Sequence, residues 1–305
     1  MAAGVFQALR VAGQKALSQT TSSDVQLSSW SAALARCLFG LPWAVLILFV
    51  LVALWGAPTK LSMTFWVWTA AAAVLQILAT VQQTLLLGQR NLAIGVVYVK
   101  TEVVLVALVG STPFFAQYLT ALQWVAILVS VIGVVVITRA KLGHTSGSVW
   151  DMRSAWLGLS GGALLAATSL TLREAGLTLI DDAAAMGVAL SPAVAGMTTL
   201  VALLVIQCVV VVGVMAWRDA SEFSRVTKRL RPMAFTGLLS ALGSACWFIG
   251  YVLMSPALVK SVGQVEFFAA VILTYLMFSE RPTRTEWVGM AFVLASILML
   301  LLSTL

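Results

Sequence analysis

Three charged residues lie in the middle of long apolar stretches, where ionisable side chains are rare. Lys100 and Glu102 interrupt NLAIGVVYVKTEVVLVALVG, and Glu266 interrupts VGQVEFFAAVILTYL. A charge at the centre of a bilayer costs about 2.5–3.5 kcal/mol on insertion scales, so it has to be paired, hydrated or neutralised there. A carboxyl group in such surroundings holds its proton more tightly than in water and can exchange it near neutral pH. These residues predict a site for protons or polar substrate groups inside a membrane.

The composition places these residues in a polytopic membrane protein. Of the 305 residues, 61% are hydrophobic and only 10% are charged, and the mean hydropathy is +1.03. Soluble domains contain about 45–50% apolar residues and could not cover this much apolar surface. The net charge of +7 comes mainly from short loops, so it sets membrane orientation and does not indicate a nucleic-acid partner.

Apolar stretches long enough to cross a bilayer define the predicted spans. The 184–216 stretch is too long for one straight crossing, and Pro192 is expected to bend it or to close a short lead-in segment. A helix over residues 1–17 would be short or incomplete. The nine predicted spans are 31–54, 62–87, 92–110, 121–138, 154–177, 184–216, 233–254, 257–278 and 286–304.

An internal repeat relates the two halves of the chain. A shift of 164 residues places Glu102 on Glu266 and Lys100 on Gln264 while the apolar stretches stay aligned. The sequence therefore predicts an all-α membrane protein of nine or ten spans in two five-helix repeats, 1–138 and 154–305, joined by a linker at 139–153. Because five is odd, the two repeats must be inverted relative to each other.

Loop charges predict the orientation. Lys60 lies in one set of alternate loops, and the other set holds most of the basic residues, which the positive-inside rule places in the cytoplasm. Both termini then face outward, and a bacterial inner membrane is expected. The basic set consists of Lys15, Arg90, Arg139, Lys141, Arg153, Arg218, Arg225, Lys228, Arg229, Arg231, Arg281 and Arg284.

Polar stripes on two spans predict a shared cavity. Each stripe follows helical spacing along one face, and the two fall at matching repeat positions. The alternative is that these polar residues form hydrogen bonds between helices. The charged residues have a similar alternative, in which they are neutralised and join helices. The predicted cavity residues are Gln76, Thr80 and Gln83 on one span, Ser240, Ser244, Trp247 and Tyr251 on the other, and Tyr98 near the charged groups. Glu102, Glu266, Lys100 and Gln264 are the predicted substrate- and proton-binding residues.

Several other chemistries find no support in the residues. Cys37, Cys208 and Cys246 fall in apolar stretches as buried thiols, with no disulfide framework implied, and His144 is the only histidine. No phosphate-binding loop, zinc-protease motif or nucleophile elbow occurs. We therefore expect no enzyme activity, no metal and no cofactor. Arg173 and Glu174 are placed near the outer end of their span, where a surface role is the default expectation.

The stretches VKTEVVLVALVG with LQWVAILVSVIGVVVI, and VGQVEFFAAVILTYLMFSERPTRTEWVGMAFVLASILMLLL, resemble the two copies of the EamA repeat of the drug/metabolite transporter superfamily. The resemblance spans about 31–305. It implies ten helices in two inverted halves, a central cavity and alternating access, with members that export amino acids, drugs and other small metabolites. Small multidrug resistance relatives use a membrane-embedded glutamate for proton/drug exchange, and Glu102 and Glu266 resemble that chemistry.

The sequence thus favours a secondary transporter, an exporter of small organic molecules with protons as the candidate coupling ion. Its expected partners are a small-molecule substrate, the lipid bilayer and protons, and its oligomeric state is left open. The alternatives are an uncoupled, channel-like facilitator, a non-transporting membrane scaffold and, more remotely, an intramembrane enzyme.

Overall fold

The computed structural model describes residues 29–87, 101–142, 152–219, 223–224, 226, 230–264 and 283–303. All regular structure in these ranges is helical. This follows from the apolar sequence, because a helix satisfies its backbone polar groups internally where water is absent. The helices are α1 (Ser29–Trp55), α2 (Met63–Leu87), α3 (Glu102–Gly110), α4 (Ala121–Leu142), α5 (Met152–Ala185), α6 (Pro192–Arg218), α7 (Leu230–Leu253), α8 (Pro256–Gly263) and α9 (Arg284–Leu302).

Six segments within these helices are long and apolar enough to cross a membrane, and a shorter apolar segment, Ala121–Ile137, lies in α4. They confirm the prediction of several membrane-spanning helices. The predicted spans at 92–110 and 257–278 are described only in part, by α3 and α8, and the predicted helix over 1–17 lies outside the described residues. The six segments are Arg36–Trp55, Met63–Gln82, Ala155–Ala185, Pro192–Arg218, Met233–Leu253 and Arg284–Leu302.

The boundary between α5 and α6 differs from the prediction. Helix α5 continues to Ala185, and Pro192 is the first residue of α6 rather than a bend within a span. Proline suits this position because its fixed φ fits a helix and its missing N–H would have no partner there. Gly187, at φ +75°, ends α5 in the left-handed region, and Val188 N–H bonds to the Ala183 carbonyl across the turn.

The extension of α5 also changes the position of Arg173 and Glu174. Both lie well inside a 34-residue helix instead of near its outer end. At 1.5 Å per residue this helix is about 51 Å long, so it must tilt or project beyond a hydrocarbon layer of about 30 Å.

Helix α9 starts at Arg284, two residues before its predicted span, with a capping box. The Thr283 hydroxyl accepts a hydrogen bond from Glu286 N–H at 3.3 Å, and Thr283 N–H donates to the Glu286 carboxylate at 2.7 Å. This capping box satisfies backbone donors that the first turn leaves without partners. Glu286 is thereby assigned to helix capping.

The described helices pack as two compact units. The first packing unit comprises Leu78–Leu170 and Met254–Leu305, and the second comprises Ala2–Ile77 and Thr171–Leu253. Each unit includes residues from both predicted repeats, because its two segments come from different halves of the chain.

In the first packing unit, α4 and α9 form the most extensive contact. A Cβ on Gly133 would lie 2.7 Å from the Gly289 carbonyl oxygen, so these two glycines let the backbones approach closely. Apolar side chains on either side complete the seam, with Val293 and Ile297 of α9 buried against Val134.

In the second packing unit, α1, α6 and α7 pack against one another. Gly237 of α7 lies against Phe39 of α1, and a Cβ there would approach the Phe39 backbone to 2.6 Å. Gly196 of α6 is similarly close to the Ile249 backbone. An apolar core that includes Phe65 and Val194 fills this unit.

We expect Gly133→Val to separate α4 from α9, because its side chain would collide with the Gly289 carbonyl and with Phe292. Overpacking of this kind costs about 1–3 kcal/mol, so the apparent melting temperature of the purified protein should fall. Gly213→Val is the matched control, since a Cβ added at Gly213, on the exposed side of α6, would meet no heavy atom within 4 Å. Equal melting temperatures for the two variants would contradict a tight α4–α9 seam.

Candidate functional site

The clearest chemical feature of the first packing unit is an ion pair between Glu102 and Lys260. Glu102 lies in the first turn of α3, and Lys260 lies in the last turn of α8. The Lys260 ammonium donates to the Glu102 carboxylate, and the two side chains are only 15% and 11% exposed, Glu102 being the more exposed. Each charge is therefore compensated inside a largely apolar bundle.

One turn beyond Lys260, Gln264 forms a second polar contact. The Ser130 hydroxyl of α4 donates to the Gln264 side-chain carbonyl, and both residues are buried. The amide nitrogen of Gln264 makes no hydrogen bond within the described part of the chain. Lys260 and Gln264, the C-cap residue of α8, are four residues apart, so they lie on the same face of that helix.

Ser296 lies level with this contact. Gly133 meets Val293 across the α4–α9 seam, and Ala126 clusters with Leu300, so the antiparallel register places Ser130 opposite Ser296. Ser296 is fully buried, and its hydroxyl has no hydrogen-bond partner among the described residues. The first packing unit thus buries a carboxylate, an ammonium, an amide and two hydroxyls.

The second packing unit contains a pair of amides. The Gln207 amide nitrogen of α6 donates to the Gln76 side-chain carbonyl of α2 at 2.9 Å, and both residues are buried. Gln76 was a predicted cavity residue, and Gln207 was not. Thr80, four residues further along α2, is half-buried.

The predicted stripe on α7, in the second packing unit, is largely buried. Ser240, Ser244 and Tyr251 are buried, and the Trp247 ring stacks at a tilt on the Tyr251 ring with centroids 5.9 Å apart. Arg173 of α5 donates from Nη1 to the Tyr251 carbonyl at 2.6 Å. This contact satisfies one of the carbonyls that the last turn of α7 leaves without a helical partner.

Several predicted site residues lie outside the described part of the structure. They are Lys100, Tyr98 and Glu266, together with the side chain of Gln83. Among the rest, the structure brings together Trp247 with Tyr251. It also gives Glu102, Gln264 and Gln76 partners that sequence reasoning missed, namely Lys260, Ser130 and Gln207. Lys260 and Gln207 each interrupt an apolar stretch, the same signal that identified Glu102.

Comparison with known proteins finds a family match for one part of the chain. Residues 183–302 match the profile of the EamA-like transporter family, part of the drug/metabolite transporter superfamily. This part of the chain is EamA-like. The resemblance predicted from the sequence is thereby confirmed for residues 183–302, and the apolar helices indicate a multi-pass membrane protein. Members of the EamA family are transporters rather than enzymes.

The fold also occurs in a solved structure. A crystal structure described simply as that of a protein aligns with 98% of this chain and 97% of its own, with a TM-score of 0.67. Only 12% of the aligned residues are identical, so the likeness shows the fold alone. No curated protein matches the chain in sequence.

We expect single substitutions in the Glu102–Lys260 pair to destabilise the protein more than the double substitution does. Lys260→Met or Glu102→Gln alone removes one charge of the pair and leaves the other in largely apolar surroundings, and breaking a fully buried pair costs about 3–5 kcal/mol. The double variant removes both charges. Apparent melting temperatures of the four proteins form a double-mutant cycle, and a double variant that loses the sum of the single losses would show that the two groups do not interact.

Proposed function

We propose that this protein is a secondary active transporter that exports small organic metabolites, amino acids or drugs by alternating access and couples export to proton entry. The observation that carries the proposal is the Glu102–Lys260 ion pair within an apolar bundle. The EamA-like match supports transport in general, and the ion pair supports a specific coupling group.

The energetics of such a pair favour a functional role over a purely structural one. A buried ion pair stabilises a protein little better than apolar residues of similar volume, because desolvation offsets the attraction. In a membrane span, ionisable residues commonly mark substrate or proton pathways. The Glu102–Lys260 pair is therefore better explained by a role in binding protons or substrate than by its contribution to stability.

The proposed switch works by protonation. A proton bound to Glu102 neutralises the carboxylate and removes its attraction for Lys260, which leaves the ammonium able to bind an anionic or acceptor group. Release of the proton restores the pair and displaces that group. Gln264, with an amide N–H unused among the described residues, would hydrogen-bond the same ligand. Glu266 and Lys100 are proposed as further members of the site on the sequence repeat alone.

The polar stripe of the second packing unit is proposed to line the substrate pathway. Gln76, Ser240 and Ser244 supply hydrogen-bonding groups, and the Trp247–Tyr251 pair supplies aromatic surface. An amphipathic organic molecule needs both kinds of contact.

We expect Glu102→Gln to abolish proton-driven export. A ligand is first found by thermal stabilisation of the purified protein with a panel of amino acids, amines and cationic drugs, and its flux is then measured in proteoliposomes with and without a pH gradient. Because glutamine cannot exchange a proton, the gradient should no longer accelerate flux, whereas substrate exchange at equal pH should continue. Asp181→Asn, at the exposed end of α5, is the matched control and should behave as wild type.

Gradient-driven flux that persists in Glu102→Gln would contradict the coupling role and favour another carboxylate, with Glu266→Gln as the next variant. Flux that ignores the gradient in the wild type would favour an uncoupled facilitator. A complete lack of flux for every stabilising ligand would favour a scaffold.

The proposed location is a bacterial inner membrane with both termini outside the cytoplasm. Arg218 ends α6, Arg231 lies at the start of α7 and Arg284 begins α9, so basic residues collect in alternate connections. We expect activity from an enzyme reporter that is fused after Leu305 and works only outside the cytoplasm. A fluorescent protein fused there that matures only inside should remain dark, and bright cells would reverse the orientation.

A further inference from the structure

Two of the three cysteines meet in the second packing unit, away from the groups proposed for transport. Cys37 of α1 is buried, and Cys208 of α6 is half-buried. Their thiols are in hydrogen-bonding contact. Four of the described helices, α2 to α5, lie between them in the chain, so only the packing of α1 against α6 brings them together.

The packing of both helices on α7 places the two cysteines at a similar level. Gly196 of α6 lies against Ile249 of α7, and Gly237 of α7 lies against Phe39 of α1. Gly237 is twelve residues before Ile249, and Cys208 is twelve residues after Gly196. Because equal steps in opposite directions along two antiparallel helices end at the same level, Cys208 lies at the level of Gly237 and Phe39, two residues from Cys37.

We propose that Cys37 and Cys208 form a redox-sensitive site that closes to a disulfide when an alkyl hydroperoxide of the membrane, such as a lipid hydroperoxide, reaches it. Cys208 is the more accessible thiol and attacks the peroxide. The O–O bond breaks, an alcohol leaves, and Cys208 becomes a sulfenic acid. Cys37 sulfur then attacks the Cys208 sulfur and displaces water. The two thiols lose two electrons and two hydrogens, and one hydroperoxide becomes one alcohol and one water.

The contact favours the first step, the attack by Cys208. A hydrogen bond from one thiol to the other stabilises negative charge on the sulfur that accepts it, which makes that sulfur the better nucleophile. Closing the bond requires the two sulfurs to move from hydrogen-bond contact to about 2.05 Å. A disulfide here would fix α1 to α6.

The test uses the full-length protein in lipid nanodiscs treated with tert-butyl hydroperoxide. After denaturation, free thiols are counted by the mass added by a maleimide. The wild type should fall from three thiols to one, and dithiothreitol should restore three. Digestion followed by mass spectrometry should yield a peptide pair joined through Cys37 and Cys208.

Variants at the three positions separate this pair from any other. Cys246→Ser, in the half-buried thiol of α7, should still lose two thiols. Cys37→Ser and Cys208→Ser should form no internal disulfide. Three free thiols in wild type at a dose that fully oxidises free dithiothreitol would overturn the proposal. A bond that includes Cys246, or over-oxidation of Cys208 without a bond, would overturn it equally. The thiol count of the wild type is sufficient to contradict the proposal, so the test does not depend on whether a variant folds.

Discussion

The constraint on which this structure depends is the absence of water from the hydrocarbon layer. Every polar group placed there must find its partner inside the protein. Backbone groups do so within helices, and hydroxyls do so by bonding back to the preceding turn, as Thr69 does to Phe65 and Thr199 to Ala195. Side chains too polar for that solution reach another helix, and these bonds link helices that are distant in sequence.

Close backbone contact makes those links possible. The apolar side chains of membrane helices gain little by leaving lipid for protein, so association relies on packing and on hydrogen bonds. Gly133 with Gly289, and Gly237 with Phe39, bring helix axes near enough for side chains of ordinary length to meet. The Ser130–Gln264 bond belongs to the bundle that the first of these seams closes, which is why a short serine side chain suffices there.

The sequence predicts the helices well because hydropathy reports directly on membrane residence. Helices α1, α2, α4 and α9 lie close to their predicted ranges. It fails at the α5–α6 boundary, because the charged pair Asp181-Asp182 lies inside α5 and only Gly187 and the Ser191-Pro192 step mark the turn. Glycine and proline signals should therefore be read inside apolar stretches as well as between them.

The partners of the polar groups were harder to predict than the groups themselves. A mid-span Glu102 is evident from its neighbours in the chain, but Lys260 lies 158 residues away and is selected by the packing of α3 against α8, which hydropathy does not encode. The predicted repeat directed attention to residues at equivalent positions, whereas the observed contacts of Glu102 and Gln264 join non-equivalent ones. The partner of a polar side chain depends on which helix faces pack together, and a repeat in the sequence does not specify this.

The described polar groups differ in how many of their hydrogen-bonding atoms have partners. This difference distinguishes groups that hold helices together from groups that could bind a ligand. The Gln76–Gln207 hydrogen bond joins two amides that do not ionise, so it does not depend on protonation. The Glu102–Lys260 pair can lose its attraction through one proton, and Gln264 beside it has an amide N–H unused among the described residues. A group that serves only to hold helices together gains nothing from being switchable. A titratable pair with an unused donor one turn away fits a site that binds and releases a ligand. For this reason the first packing unit, rather than the amide pair of the second, is the better candidate for the coupling step that we propose.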